Sequence, residues 1–264
     1  MKANRTTALI TGASTGIGKE LAYIHAEQGG DLIIVARGEE KLLQLKDELE
    51  GKFSSQVTVI PKDLTSPNAA QDIYDEIKGQ GLQVDYLINN AGFGGHGKFY
   101  ERSAAEDAAM IQLNIVVLTE LCRLFLPDFV ERNSGRVLNV SSTASLPPGG
   151  PLQSVYFATK HFVTALSYGI AGELEGTGVT VTALLPGATA TEFAESAGLS
   201  DTELFAKAFP PRQVAQDGYE AMLEGKLDVI SGLTFGQKMQ MRAMPFMPKR
   251  TVLHEIYKMQ QLED

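Results

Sequence analysis

Seven short apolar runs, separated by longer amphipathic stretches, set the fold of this chain. The runs are Ala8–Ile10, Leu32–Val35, Val57–Ile60, Val84–Ile88, Arg136–Val140, Val179–Leu185 and Asp228–Ser231. The stretches between them carry apolar residues at helical spacing. Leu42, Leu45 and Leu49 stand among charges in Glu39–Leu49, and Ile17–Gln28 is stopped by Gly29-Gly30. Further helices are expected over Ser66–Gln80, with Ser66 as its cap, and over Ala104–Arg132, Ser154–Glu175 and Arg212–Leu223. Strands apolar at successive positions are buried on both faces, and each return through a helix makes the next strand parallel. Right-handed crossovers then give a single-domain, Rossmann-type doubly wound parallel sheet of about seven strands, with helices on both faces. The domain covers 1–264: a core over 1–190, a loop with the last helix and strand over 191–230, and a tail over 231–264.

Composition fits that reading. The 264 residues are 44% hydrophobic and 21% charged, within the ordinary globular range. The single cysteine, Cys122, excludes an intrachain disulfide and suits a reducing compartment. A formal charge of −9 argues against nucleic acid as a partner. No run approaches 18 consecutive apolar residues, and Met1–Thr7 has no apolar core of a secretory signal. A cytoplasmic location is the expectation.

The first strand runs directly into Thr11-Gly12-Ala13-Ser14-Thr15-Gly16-Ile17-Gly18, which opens the first helix. Glycines there let backbone approach a pyrophosphate, and the helix N-terminus offers free N–H groups. The second strand ends Ala36-Arg37, with no acid in the place that would hold a ribose 2′-hydroxyl. A guanidinium suits a 2′-phosphate, so NADP(H) is favoured over NAD(H); a solvated arginine is the plainer alternative. Asp63-Leu64 would either meet the adenine or form an Asp turn before the Ser66-capped helix. Asn89-Asn90-Ala91-Gly92 ends the fourth strand, where such sheets bind ligands, or makes a plain turn.

Tyr156 and Lys160 are four residues apart on one helical face, and Ser141-Ser142-Thr143 ends the fifth strand. Taken together, TGASTGIG (11–18), NNAG (89–92), Asn114, NVSS (139–142), YxxxK (156–160) and PG (186–187) resemble the short-chain dehydrogenase/reductase family in its shorter form, from about Thr6 to Thr191. The resemblance implies roles position by position. Gly12, Ser14, Thr15, Gly16, Ile17 and Gly18 of the turn would face the cofactor, with Arg37, Asp63, Leu64, Asn90, Ala91 and Gly92 along it. Tyr156 would be the general acid in reduction and the base in oxidation. Lys160 would bind the nicotinamide ribose and pull the tyrosine's pKa down. Ser142 would donate to the substrate oxygen, and Asn114 would hold a helix irregularity and a proton-relay water. Pro186, Gly187, Thr189 and Thr191 would cover the nicotinamide end. The gap from serine to tyrosine is one residue longer than usual in the family, so Thr143 competes with Ser142; the NVSS match and a loop insertion at 146–151 favour Ser142.

The expected substrate is a lipophilic ketone, aldehyde or alcohol. Phe93, Phe99, Leu146, Leu152, Phe193, Leu199, Phe205 and Phe209 are the candidate lining, or else plain core. His96 is expected to be exposed. A 3-oxoacyl-carrier-protein-type reductase, a silent nucleotide sensor and a sugar-nucleotide epimerase or dehydratase are alternatives. The acidic charge, the intact Asn114–Ser142–Tyr156–Lys160 set and the short segment after Pro186 weigh against them in turn. Five of the eight methionines lie in 239–264, with Lys238, Arg242, Lys249, Arg250 and Lys258 among them. That tail reads as an amphipathic surface for weak peripheral membrane contact through 238–258, or as a cap on the pocket or a subunit contact. A homodimer or homotetramer through 104–132 and 154–175 is what the resemblance implies.

Overall fold

The computed structural model describes residues 5–199, 202 and 208–261. Its sheet has seven parallel strands in the order β3-β2-β1-β4-β5-β6-β7. These are β1 (Thr7–Thr11), β2 (Asp31–Ala36), β3 (Val57–Pro61), β4 (Tyr86–Asn89), β5 (Gly135–Val140), β6 (Val179–Pro186) and β7 (Asp228–Ser231). Helices α1 (Gly16–Glu27) and α2 (Glu39–Lys52) return the chain between β1, β2 and β3, and α3 (Ala69–Gly79) leads back to β4. Chain direction across the sheet reverses between β1 and β4, which are paired at Ala8–Tyr86, Leu9–Leu87 and Ile10–Ile88. The strand ends on either side of that reversal frame a crevice.

Alternation along each strand fills two cores. Ala8, Ile10, Leu32 and Ile34 pack toward α1, α2 and α8 (Pro211–Leu223). Leu9, Ile33 and Val35 pack toward the other layer, α3, α5 (Leu118–Glu131) and α6 (Ser154–Glu173). Burial of both faces explains why the strands read as unbroken apolar runs.

One helix start departs from expectation, and one long helix carries the irregularity expected at Asn114. Ser66 does not cap α3. The Asp63 carboxylate accepts from the Thr65 N–H and hydroxyl (2.9 and 2.8 Å), and this turn runs on to Asn68, the N-terminal flank of α3, at φ 61°. The helix therefore starts at Ala69. The expected Ala104–Arg132 helix is α4 (Ala104–Ile111), a π-helical turn (Gln112–Val117) and α5 in line. The run Ala104–Glu131 is also long and apolar enough to cross a bilayer by length and composition, contrary to the expectation that no segment would be. Its apolarity has a source in packing: Met110, Val117, Leu121, Phe125 and Phe129 are buried against the rest of the chain. Beyond β6, α7 (Phe193–Ser196) is a single turn, and the tail folds as α9 (Phe235–Ala243), a 3-10 turn (Met244–Phe246) and α10 (Lys249–Met259).

Candidate active site

A cleft of about 740 Å³ runs along the carboxyl edge of the sheet. At its floor the glycine turn leaves β1 with Gly12 at φ +67°. A Cβ on Gly18 would lie 2.3 Å from the Gly12 carbonyl oxygen and 2.4 Å from Asn90 Nδ2, so only glycine lets turn and helix close up. Asn90 anchors the turn from β4. Its Nδ2 donates to the carbonyls of Thr11 and Gly12 (2.9 and 3.1 Å), and the N–H groups of Asn90 and Ala91 both donate to Thr11 Oγ1 (3.0 Å each). The sequence motif NNAG is thus a brace as well as a wall. Asn89, beside it, is buried and donates to Asn139 Oδ1 (2.9 Å), holding β4 to β5.

One end of the cleft is cationic. Arg37, Lys41 and Lys62 all stand on its wall, as do Ser14 and Gly38. Lys41 pairs with Glu192 (3.1 Å) and Lys62 with Asp72 (2.5 Å). Asp63 faces the same end. Its carboxyl is held below the usual range by the Thr65 hydrogen bonds and, to a smaller degree, by the Arg37 charge. The Asp turn and the place on the wall therefore coexist.

At the middle of the cleft β5 delivers Ser142 and α6 delivers Tyr156 and Lys160. Tyr156 is 8% and Lys160 5% exposed. Lys160 Nζ donates to the Val140 carbonyl (2.9 Å) and lies 5.8 Å from the Tyr156 ring centre. Burial pushes the Tyr156 phenol up to about 12, with a hydrogen bond to Ser142 pulling the other way. Burial also pushes Lys160 down to about 8. The expected depression of the tyrosine by Lys160 is not seen: burial dominates the Tyr156 shift, opposed only by the Ser142 hydrogen bond. Both candidate hydroxyls donate to the Pro186 carbonyl, Ser142 Oγ at 3.5 Å and Thr143 Oγ1 at 3.2 Å, and Ser142 also hydrogen-bonds Tyr156.

Asn114 lies within the π-helical turn and one step behind the wall. Its Nδ2 donates to the Phe93 carbonyl and to Thr159 Oγ1 (2.9 and 3.1 Å), and its Oδ1 accepts from the Phe93 N–H (3.1 Å). It fixes the loop after β4 to α6. Of the other expected cofactor residues all line the cleft except Gly18, which sits behind the turn. Thr191 crosses over the turn, with its Cγ2 3.0 Å from where a Gly16 Cβ would be. Thr189 Oγ1 donates to the Gly187 carbonyl (2.9 Å), and Pro186-Gly187 leads into this strap from β6.

The far end is apolar and roofed by the tail. Met241, Met244, Ile256 and Met259 join Phe93, Phe193 and Leu199 on its wall, and the Phe193 ring centre lies 5.5 Å from that of Tyr156. The tail is therefore a cap on the cleft. Four expected lining residues lie elsewhere. Phe99 is 66% exposed, Leu146 packs with Ala183, Leu185 and Ile230, and Phe209 packs on the α1 and α8 side. Leu152 turns away at φ 66°, its carbonyl accepting from the Gly97 N–H (2.8 Å). Phe205 falls outside the described residues. His96 is half-buried rather than exposed, its Nε2 hydrogen-bonded to the Gln260 carbonyl (2.7 Å) at the end of α10.

Sequence reasoning missed Lys41, Lys62, Gln153 and Gln260, all on the wall. Gln153 was within reach of it, since it directly precedes the helix expected to carry Tyr156.

Known proteins match this arrangement. The family described as short chain dehydrogenase matches residues 6–201. The very-long-chain 3-oxoacyl-CoA reductases of Bos taurus and Homo sapiens are each 34% identical over 194 residues, 71% of this chain and 61% of theirs. The aligned part thus covers about three-fifths of those relatives. A short-chain dehydrogenase from Sphingobium yanoikuyae, solved in complex with NADPH, superimposes with a TM-score of 0.82 at 30% identity, over 98% of this chain and 99% of that one. The bulky-bulky ketone specific alcohol dehydrogenase from Comamonas testosteroni superimposes with a TM-score of 0.78 at 28% identity, over 90% of each chain. With a seven-stranded parallel sheet, the glycine turn and the Ser142–Tyr156–Lys160 cleft in place, the chain belongs to the short-chain dehydrogenase/reductase family of oxidoreductases.

Proposed function

We propose that this chain is an NADP(H)-dependent oxidoreductase that interconverts a lipophilic ketone or aldehyde with its alcohol. The observation that carries the reading is one continuous cleft, lined by Arg37, Lys41 and Lys62, by the glycine turn, by Tyr156 and by apolar residues of the tail. The walls fit a dinucleotide. The turn has no room for side chains at Gly12 and Gly18, where an added Cβ would lie 2.9 and 2.3 Å from its neighbours. The cations offer charge for a 2′-phosphate where an NAD-selective fold would place an acid.

When bound, the dihydronicotinamide supplies hydride to the carbonyl carbon. The protein's part is acid–base work and positioning. Tyr156, protonated at neutral pH, gives its proton to the carbonyl oxygen, and Ser142 donates a hydrogen bond to the same atom. Lys160 would hold the ribose hydroxyls through its ammonium and, beside Tyr156, offset charge that builds on the phenol oxygen. Asn114 keeps Phe93 and Thr159 in register with that group. The methionines of the tail exclude water and accept varied apolar shapes. Relatives named for very-long-chain 3-oxoacyl and bulky ketone substrates support a lipophilic one here.

The exposed apolar residues Ile111, Val130 and Phe162 on α4, α5 and α6 support a homodimer or homotetramer through those helices. The outer face of the tail exposes Phe235, Met239, Phe246 and Met247 among Lys238, Arg242, Lys249 and Arg250, which supports weak contact with an anionic membrane.

Titration with NADPH and NADH, followed by a panel of apolar ketones and aldehydes, tests the reading. Tighter NADPH binding and loss of its absorbance on a carbonyl are expected. Binding without turnover turns the reading toward a silent sensor, and no binding overturns it.

A further inference from the structure

Two glutamines on the wall of the cleft have buried amide atoms that no described residue satisfies. Gln153 is 3% exposed and Gln260 is 2% exposed. Gln153 Nε2 and Gln260 Oε1 have no hydrogen-bond partner among the described residues. Both side chains line the cleft. A buried donor or acceptor without a partner loses its hydration and gains nothing in return, so native folds keep few of them.

Their backbones are pinned on both sides. The Gln153 N–H donates to the Gly150 carbonyl and its own carbonyl accepts from Phe157 (3.0 Å each). The Gln260 N–H donates to Ile256 (3.1 Å), and His96 holds its carbonyl (2.7 Å). Only the amide ends are left over. The two residues come from different elements that line the same cleft. Gln153 flanks the N-terminus of α6, three residues before Tyr156. Gln260 ends α10, whose Val252 and Ile256 pack with Tyr156 and Phe157.

We infer that Gln153 and Gln260 form a two-sided polar clasp that selects lipophilic ketones carrying a second oxygen function near the reacting carbonyl. Gln153 donates to that oxygen, and Gln260 accepts from it where it is a hydroxyl. A plain hydrocarbon ketone would leave both amides buried and unpaired, and so be rejected. This assignment rests on carbonyl reduction at Tyr156.

The test compares kcat/KM, with NADPH, for a plain alkyl ketone and for 3-oxo-ester and 3-hydroxy-ketone analogues of equal carbon number. The wild type is expected to prefer at least one functionalised ketone. Gln153→Met and Gln260→Met keep the volume and remove the hydrogen bonds. Each should lower kcat/KM for that ketone by roughly tenfold to a hundredfold and raise it for the plain ketone, with NADPH affinity little changed. A loss shared equally by all the ketones, or a preference that survives both substitutions, overturns the clasp. So does a wild type that turns over these ketones without discrimination, whatever the variants do. A wild type that binds NADPH and reduces none of a broad carbonyl panel instead overturns the reductase reading, and the clasp with it.

Discussion

At the scale of single residues, the titrations of Tyr156 and Lys160 set the pH behaviour. Burial holds Tyr156 near 12, so it carries its proton at neutral pH, as a general acid must. Lys160, pushed down to about 8, loses its ammonium first as pH rises. Carbonyl reduction should therefore hold at and below neutrality and decline through about pH 8. In Lys160→Arg, whose guanidinium stays charged, that alkaline decline should vanish even if the rate is lower. A decline that persists in the arginine variant assigns it to another group. The same shift costs stability. The folded lysine binds protons less tightly than its unfolded value of 10.5, so the fold gains stability as pH rises from about 8 to 10.5 and bears the full cost below. Two to three pKa units correspond to roughly 3 kcal/mol, offset in part by the hydrogen bond to Val140. Lys160→Met should raise Tm at neutral pH while abolishing turnover, with the gain shrinking toward pH 10.5. Arg37→Asp should weaken NADPH far more than NADH in a binding titration; an unchanged ratio removes Arg37 from the 2′-phosphate. Tyr156, Lys160, Ser142 and Arg37 were legible as cleft positions because they stand at strand ends and on one helical face. Lys41, Lys62 and Gln260 were not, because they reach the cleft from elements whose placement depends on tertiary packing.

At the scale of elements, alternating periodicity was enough to read the strands and most helices. It failed where local hydrogen bonds compete with the helix. The Asp63–Thr65 turn displaces the start of α3 past Ser66, and a carboxylate two residues before a threonine is a weak signal against a serine cap. The irregularity expected at Asn114 is a π-helical turn, whose type and extent periodicity alone could not show. Asn114 signals a polar position within an apolar helix, but the extra residue of the turn is demanded by its bonds to Phe93 and Thr159 across the fold. The junction of β1 and α1 is the element on which the cleft depends most. A methyl group on Gly18 would collide with the Gly12 carbonyl at 2.3 Å, and neither that backbone nor the braced Asn90 amide can retreat freely. Gly18→Ala is expected to lower stability by about 1–3 kcal/mol, the usual cost of overpacking. It should also weaken NADPH well beyond that loss, because the turn must open. Denaturant unfolding and nucleotide titration on the same variant separate the two effects. A variant that binds NADPH as the wild type does would show that the turn yields.

At the scale of the whole molecule, the tail gives the chain a roof whose two faces have opposite character. The inner face places Met244, Val252 and Ile256 against Met110, Tyr156 and Phe157. The outer face leaves Phe246 90% and Phe235 81% exposed, beside an excess of basic residues in a chain of net charge −9. The sequence displayed the methionines and the local charge but not which face turned inward, since that depends on where α6 and the loop after β4 present apolar surface. Removing 235–264 separates the two roles. NADPH affinity should stay near wild type, because the glycine turn, Arg37 and the 186–191 strap lie outside the deletion. KM for a lipophilic ketone should rise, because one wall of the apolar end is gone and Tyr156 is opened to water. Co-sedimentation with anionic vesicles, measured on the intact protein at low and high salt, reads the outer face. Salt-sensitive binding that disappears on deletion, and that Phe235→Ser with Phe246→Ser reproduces without changing KM, assigns the outer face to the membrane and the inner face to the substrate. Absence of binding by the intact protein leaves the tail as a roof alone, and an unchanged KM after deletion would remove even that.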